Sequence, residues 1–201
     1  MARLFLVRHG ETVWNDAQRF QGHTDVPLSA RGWRQAEWLA ERFACESIAA
    51  IYASDLSRAR DTAQVIAGRL CKVVQCEPLL REANLGELQG LGYAQVRDRW
   101  FHASDPLPCY FVDTAPPGIE CLRQLQARVM GALCNLAARH GGETILVVMH
   151  GACLRAVLCA WLGIALSEHA RLNFDPGSVS EIELHPRGAS VSLLNDVSHL
   201  K

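Results

Sequence analysis

The sequence lacks the features of several large protein classes. Its 201 residues carry 20 Lys plus Arg against 21 Asp plus Glu, so it has no basic excess to neutralise nucleic-acid phosphates. No segment approaches the ~20 apolar residues of a membrane span. It contains no internal repeat, low-complexity tract or domain linker. We therefore expect no nucleic-acid partner and no membrane partner, and we interpret residues 1–201 as a single domain.

Several short motifs are missing as well. No GxGxxG follows the first apolar segment and no GxxxxGK[ST] occurs, which disfavours dinucleotide and P-loop nucleotide binding. The eight cysteines include no CxxC pair, which disfavours a structural zinc site or a redox motif. The N-terminal residues do not resemble a signal peptide. We interpret the cysteines as reduced and mostly buried, in a cytoplasmic protein.

Apolar segments alternate with amphipathic helical patterns along the chain. Ser29 is expected to cap the first long helix, and Ser54 or Asp55 the second. A hairpin is expected near the C-terminus, with its turn at residues 186–188. Four apolar segments predict strands of a mainly parallel sheet: residues 4–7, 48–53, 72–75 and 144–149. This order predicts an α/β fold, a three-layer sandwich with a mainly parallel central sheet, helices on both faces and a C-terminal antiparallel edge hairpin.

Charged and titratable residues follow three of the predicted strands. Arg8 and His9 follow the first strand, Arg58 lies in the first turn of the helix after the second, and His150 follows residues 144–149. Ligands of such sheets bind beyond the carboxyl ends of the strands. Arginines bind oxyanions through forked hydrogen bonds, and a neutral imidazole can attack phosphorus. The two arginines would repel a cation, so we expect no metal and no cofactor.

These residues stand in motifs that resemble, in order, the signature of the histidine phosphatase superfamily, the phosphoglycerate-mutase-like family. The resemblance spans residues 4–155. The matching segments are Leu6-Val7-Arg8-His9-Gly10-Glu11-Thr12 with Asn15, Arg19-Phe20-Gln21-Gly22, Asp25-Val26-Pro27-Leu28-Ser29, Gly32 with Gln35-Ala36, Ser54-Asp55-Leu56-Ser57-Arg58-Ala59 with Thr62-Ala63, Leu80-Arg81-Glu82 with Gly86 and Gly90, and His150-Gly151 with Arg155. An RHG tripeptide alone would be weak, whereas the ordered set is specific.

The resemblance implies a role for each matching catalytic position. His9 would be the nucleophile that becomes phosphorylated. Arg8, Arg58 and His150 would hold the phosphoryl oxygens and stabilise the charge of the transferring group. Glu82 would protonate the leaving oxygen and then activate water.

The resemblance also implies a set of substrate-binding residues around the catalytic ones. Asn15 would add a neutral hydrogen-bond donor to the phosphate pocket. Gln21, Gly22 and Thr24 would line the mouth of the site on the substrate side. Gly151 follows His150 directly and belongs to the same motif.

The family contains both phosphatases and mutases, and the residues after Glu82 favour a phosphatase. They lack the basic and tyrosine positions of true phosphoglycerate mutases, and Tyr93 stands where a lysine would be expected. A cofactor-dependent phosphoglycerate mutase is the alternative. A non-catalytic module that binds a phosphorylated ligand is the third hypothesis, which the presence of both His9 and Glu82 disfavours.

The segment 83–119 is interpreted as a substrate lid. It is rich in leucine and aromatic residues and holds only two basic residues, Arg97 and Arg99. This composition favours a partly apolar or ring-bearing phosphomonoester over a multiply charged one. The expected partner is a small phosphorylated metabolite of the α-ribazole phosphate, sugar phosphate or phosphoglycerate type. The sequence leaves open whether the chain forms a homodimer.

Overall fold

In the computed structural model, six strands of the described residues form one sheet in the order β3-β2-β4-β1-β5-β6. The structure describes residues 2–104, 110–185 and 188–201. Cys109, the 105–109 part of the expected lid and the 186–187 part of the expected turn lie outside them. The strands are β1 (Ala2–Arg8), β2 (Ala50–Ala53), β3 (Val74–Cys76), β4 (Thr144–Met149), β5 (Val179–His185) and β6 (Gly188–Asp196).

Within the described ranges, six α-helices surround the sheet. They are α1 (Val13–Asp16), α2 (Ala30–Phe43), α3 (Ser57–Arg69), α4 (Tyr93–Trp100), α5 (Leu122–Arg139) and α6 (Gly151–Leu162). The same part of the chain holds 3₁₀ segments at Pro78–Leu80, Gly86–Leu88 and Leu166–Arg171. Gly163 ends α6 in the left-handed conformation, with φ 66°, which a glycine adopts without steric cost.

The sheet is mainly parallel, as the sequence predicts. Strands β1, β2, β3 and β4 pair in parallel, and the C-terminal strands β5 and β6 add to the edge in antiparallel pairing. The carboxyl ends of β1, β2 and β4 therefore meet at one edge of the sheet. This edge is where the predicted catalytic residues emerge.

Successive side chains of the central strands point to opposite faces of the sheet, so the sheet separates two hydrophobic cores. On β1, Leu4 and Leu6 pack in a core with α5 and α6, whereas Phe5 and Val7 pack on the other face with α2 and α3. The side chains of β4 alternate in the same way. Successive strand residues point to opposite faces, so continuous apolar runs bury both faces and confirm the three-layer expectation.

The expected cap of the second long helix is wrong. Leu56 is the N-cap of α3 and makes no side-chain capping bond. The carboxylate of Asp25 accepts instead from the backbone N–H of Ser57 at 2.7 Å. Asp55 forms a two-point ion pair with Arg81, with distances of 2.7 and 2.5 Å. The cap comes from a residue 32 positions away, which local sequence does not reveal.

The expectation of mostly buried cysteines is also wrong. All seven cysteines in the described ranges are free, but four of them are exposed: Cys45, Cys71, Cys76 and Cys134. Three are buried: Cys121, Cys153 and Cys159. Cys45 and Cys71 lie in the turns after α2 and α3, Cys76 is the last residue of the edge strand β3, and Cys134 lies on an exposed face of α5.

A close backbone approach joins α2 to the loop that carries His9. A Cβ on Gly32 would lie 2.0 Å from the carbonyl oxygen of Glu11, which is far inside van der Waals contact. A Cβ on Gly10 would lie 2.5 Å from the carbonyl oxygen of Gly32. Both positions therefore require glycine, so that the helix can press against this loop.

We predict opposite effects for two glycine-to-alanine substitutions. Gly32→Ala should lower the free energy of unfolding by about 1–3 kcal/mol, because backbone must move. Gly131→Ala, inside α5 with nothing within 4 Å of the added Cβ, should raise it by about 0.5–1 kcal/mol. Urea denaturation of both variants beside the unsubstituted protein measures these changes. Equal effects of the two would contradict the close approach.

Candidate active site

Three loops at the carboxyl edge of the sheet bring the predicted residues together. The backbone N–H of His9 donates to Met149 at 3.0 Å, which joins the end of β1 to the end of β4. The imidazole rings of His9 and His150 lie 5.2 Å apart between centroids. His9, Arg58 and His150 expose 3%, 0% and 0% of their surface, so the groups are withdrawn from bulk water.

The tautomer of His9 follows from its hydrogen bond. Its Nδ1 lies 2.6 Å from the carbonyl oxygen of Gly10, and since a carbonyl only accepts, Nδ1 carries the proton. The lone pair of Nε2 is then free. Burial lowers the pKa of His9 well below its usual value, and the charges of Arg58 and Arg8 lower it further. His9 is therefore a neutral imidazole with its nucleophilic nitrogen available.

Backbone carbonyls hold both arginines in place. Arg58 donates to the carbonyls of Thr24 at 3.0 Å and Gly22 at 2.8 Å, and Arg8 donates to the carbonyl of Phe174. Burial lowers the pKa of Arg58 to about 10, which still leaves it charged near neutral pH. Both guanidinium groups are fixed cations, oriented before any ligand arrives.

Four buried nitrogen atoms of the site have no hydrogen-bond partner within the described ranges: Arg8 Nε, Arg58 Nε, His150 Nδ1 and His150 Nε2. Such atoms are costly to bury unless a ligand satisfies them. Burial, with the charges of Arg58 and His9, lowers the pKa of His150 well below its usual value. Two unsatisfied arginine donors and a neutral imidazole that can donate once match the oxygens of a phosphoryl group.

Glu82 is bonded to the start of α6. Its carboxylate accepts from the backbone N–H of Ala83 at 3.0 Å and of Ala152 at 3.2 Å. Ala152 lies in the first turn of α6, two residues after His150. The structure therefore brings Glu82 beside His150 although 68 residues separate them, and it is 9% exposed.

Arg128 and Glu120 hold the loop that leads to Glu82. The sequence motifs did not mark either residue as functional. Arg128 of α5 donates to the carboxylate of Glu120 at 3.0 and 2.8 Å. The same guanidinium donates to the carbonyls of Leu79 and Arg81 at 2.7 and 3.0 Å. We call Arg128 and Glu120 the loop clamp. Their spacing of eight residues spans a helix start, which local periodicity does not mark as functional.

Two further residues contact Glu82 and were not predicted as functional. His23 Nε2 donates to the carbonyl of Glu82 at 2.9 Å, so this residue supports the loop that carries Glu82. The thiol of Cys153 lies 3.2 Å from the carbonyl of Arg81 and 3.7 Å from the Glu82 carboxylate. Burial raises the pKa of Cys153 well above its usual value, so it remains a neutral thiol.

The expected substrate-binding residues divide into two groups. Asn15 and Gly151 line a cavity of about 310 Å³ beside Arg8. The side-chain oxygen of Asn15 accepts from the backbone of Thr12 at 3.0 Å, which leaves its amide nitrogen as a donor. The carbonyls of Gly22 and Thr24 instead bind Arg58, and thus act by positioning that cation.

Gln21, the remaining expected residue, is buried, and its side-chain oxygen has no hydrogen-bond partner in the part of the chain that the structure describes. It lies next to Gly22, whose carbonyl binds Arg58. Gln21 therefore lies near Arg58. Its contact with substrate stays a prediction.

The described residues contain no cluster of three or more His, Cys, Asp or Glu side chains that could hold a metal ion. Nor does any helix in the described ranges have the length and apolar character to cross a membrane.

Comparison with known proteins gives concordant results. The family model for the histidine phosphatase superfamily (branch 1) matches residues 4–197. The chain is 36% identical to a metal-independent phosphoserine phosphatase from Arabidopsis thaliana, covering 100% of this chain and 84% of that protein. It is 34% identical to a protein named probable phosphoglycerate mutase GpmB from Enterobacter sp., covering 100% and 95%. The solved structure of Bacillus stearothermophilus YhfR superposes with a TM-score of 0.90 at 31% identity, covering 100% of both chains.

We predict that the buried neutral histidines make stability depend on pH. Below pH 6.5 an unfolded histidine binds a proton that folded His150 does not, so the free energy of unfolding should fall as the pH falls. His150→Gln should make this decline shallower by about 1 kcal/mol per pH unit between pH 6 and 5. Urea denaturation across this range measures both slopes.

Above pH 7.5, His150 is neutral in the folded and in the unfolded state. The free energies of unfolding of His150→Gln and the unsubstituted protein should therefore change with pH in parallel there. Identical slopes between pH 6 and 5 would contradict a neutral buried His150.

Proposed function

Since the chain belongs to the histidine phosphatase superfamily and is a phosphatase of small phosphorylated metabolites, we propose that it hydrolyses them through a phosphohistidine on His9. One observation carries this mechanism. The Nδ1–H of His9 is bound to Gly10, which leaves Nε2 free, and the charges of Arg58 and Arg8 both act on the same ring. That arrangement is a nucleophile beside an anion site.

The first step transfers the phosphoryl group to the enzyme. The lone pair of His9 Nε2 attacks phosphorus, so that a P–N bond forms while the P–O bond to the leaving alcohol breaks. Arg8, Arg58 and His150 bind the three equatorial oxygens and stabilise the spreading negative charge. Glu82, entering as the carboxylic acid, gives its proton to the leaving oxygen, and the alcohol departs.

The second step returns the enzyme to its starting state. The Glu82 carboxylate takes a proton from a water molecule while the water oxygen attacks phosphorus and the P–N bond breaks. Inorganic phosphate leaves, and both His9 and Glu82 regain their initial protonation. The site needs no metal for these steps, because the arginines supply the positive charge.

The surroundings of the site favour hydrolysis over the mutase alternative. A mutase holds a bisphosphate, which requires additional cations near the nucleophile and exclusion of water. The cavity beside Arg8 has one further cation in its wall, Arg155, and the carboxylates of Glu11 and Asp16 stand in the same wall. Carboxylates repel a second phosphate group and attract no bisphosphate.

We expect His9→Ala to lower turnover of a generic aryl phosphate by about 10⁴-fold or more, because the attacking atom is lost. Rapid acid quenching after mixing with ³²P-labelled substrate should trap an acid-labile, alkali-stable phosphoprotein in the unsubstituted enzyme only. The assay contains a metal chelator throughout. Full activity of His9→Ala would disprove the mechanism. A phosphoglycerate isomerase activity stimulated by a bisphosphate primer would instead support a mutase.

The loop clamp predicts a defect specific to the proton donor. Arg128→Met should release the loop that presents Glu82 and lower kcat about 10–100-fold for alkyl phosphates. The loss should be several-fold smaller for an aryl phosphate, since its leaving group needs little help from an acid. Steady-state kinetics on the two substrates measure this difference.

Arg123→Met is the matched control, because Arg123 lies on the same helix and pairs with Asp113 at 2.5 Å on the exposed surface. It should leave both rates close to those of the unsubstituted enzyme. Equal losses on alkyl and aryl substrates for Arg128→Met would show that the clamp only supports the fold.

A further inference from the structure

Residues 173–178, which we call the arginine loop, hold both the side chain and the backbone of Arg8. The carbonyl of Phe174 accepts from the Arg8 guanidinium. The backbone N–H of Gly177 donates to the carbonyls of Arg8 and His9, at 3.1 Å each. The orientation of this cation and the backbone of the nucleophile therefore depend on where the arginine loop lies.

The side chain of Asn195, in β6, binds the arginine loop at two points. Its amide oxygen accepts from the backbone N–H of Asp175 at 2.7 Å. Its amide nitrogen donates to the carboxylate of Asp175 at 2.8 Å. A primary amide offers an acceptor and donors on one planar group, so a single side chain can make both bonds. Together they fix the backbone and the side chain of the residue directly after Phe174.

The backbone of Asn195 departs from regular strand geometry at this contact. Its φ is 50°, in the left-handed region that residues other than glycine rarely adopt. The register of β5 against β6 shifts between Val179 and Glu181, and the N–H of Asn195 donates to the hydroxyl of Ser180 at 3.1 Å. Bulges re-aim side chains, and a strained residue persists only where its surroundings fix it. Here the irregularity aims the Asn195 amide at the arginine loop.

The segment that carries Asn195 is itself anchored. Asp196 forms an ion pair with Arg42 of α2 at 2.6 Å. Four residues after Asn195, His199 Nε2 donates to the carbonyl of Gly177 at 3.0 Å, which is a second bond from this segment to the arginine loop. Asn195 therefore binds the loop from a position that is fixed against α2.

We propose that Asn195 is a positioning residue of the reaction, which acts on the phosphoryl group through the arginine loop and Arg8. This inference rests on the proposed phosphatase function. Asn173 and Pro176 of the arginine loop stand in the wall of the cavity of about 310 Å³ beside Arg8, so a displaced loop alters the phosphoryl site directly. An oriented cation stabilises the transferring group only if it is held in place before the reaction.

Asn195→Gly removes the amide and keeps the left-handed backbone, which glycine adopts without steric cost. This variant should lower kcat/KM by about 10–100-fold, because Arg8 is no longer held in its binding geometry. The loss should be equal for alkyl and aryl phosphates, unlike that of Arg128→Met, since Arg8 acts on the phosphoryl group. The inhibition constant of inorganic phosphate should rise by about 10-fold. Steady-state kinetics with phosphate as competitive inhibitor measure all three.

A double-mutant cycle separates positioning from a role in the fold. In an Arg8→Met background, Asn195→Gly should change kcat/KM by less than about 2-fold, because the group through which Asn195 acts is absent. Two independent losses that multiply would overturn the inference.

Exchanging the two side chains tests the contact itself. Asn195→Asp alone places two carboxylates side by side and should lower kcat/KM at least as much as Asn195→Gly. Combined with Asp175→Asn, it restores a donor facing an acceptor and should bring kcat/KM to within about 3-fold of the unsubstituted enzyme. An exchange that recovers no activity would count against the inference.

Ser192→Ala is the control, because Ser192 is exposed on the same strand and should leave kcat/KM and phosphate inhibition as they are. An unchanged inhibition constant and KM in Asn195→Gly would overturn the inference, since a defect of folding alone lowers only the amount of active enzyme. The proposed function would fail in a different way: the unsubstituted enzyme would form no phosphohistidine and hydrolyse no phosphomonoester.

Discussion

The structure depends on holding two guanidinium groups and two neutral imidazoles close together at a largely buried site. Arg58 and His150 are fully buried, and His9 is nearly so. Like charges and desolvation oppose this arrangement, so the fold has to compensate for it. It does so with backbone carbonyls: Gly22 and Thr24 bind Arg58, Phe174 binds Arg8, and Gly10 binds His9. The donors that remain unsatisfied define what the ligand must supply.

Electrostatic coupling also assigns the protonation states that the chemistry needs. The two arginines lower the pKa of His9 and of His150 in addition to burial, so each cation that would hold the phosphate also keeps the nucleophile neutral. Glu82 is fixed by two backbone N–H groups and by a loop that Arg128 and Glu120 clamp from behind. Nucleophile and proton donor are therefore positioned by separate networks, which meet at the start of α6.

Much of the fold could be predicted from sequence because its signals are local. The apolar runs of β1 and β4 predict that helices cover both faces of the sheet. The alternation of strands and helices predicts parallel strands, whose carboxyl ends lie at one edge. The predicted helix cap was wrong because the residues that bond to each other there lie far apart in the sequence. Ser54 and Asp55 were plausible caps by type, yet Asp25 caps α3 and Asp55 binds Arg81. The exposed cysteines show the same limit, since residue type alone does not determine burial.

By itself, the sequence determined the class of fold and the family, and it located the residues of the proposed mechanism. His9, Arg8, Arg58, Glu82 and His150 lie in ordered motifs whose spacing can be read along the chain. Only the tertiary structure decided which tautomer His9 adopts, which carbonyls fix the arginines, and that Arg155 shares the cavity with Arg8. The physical reason is that hydrogen bonding and desolvation depend on atoms far apart in sequence. The net charge of a chain does not depend on where its charged side chains lie. The electrostatic energy of each charged side chain, in contrast, depends on the groups and the solvent around it.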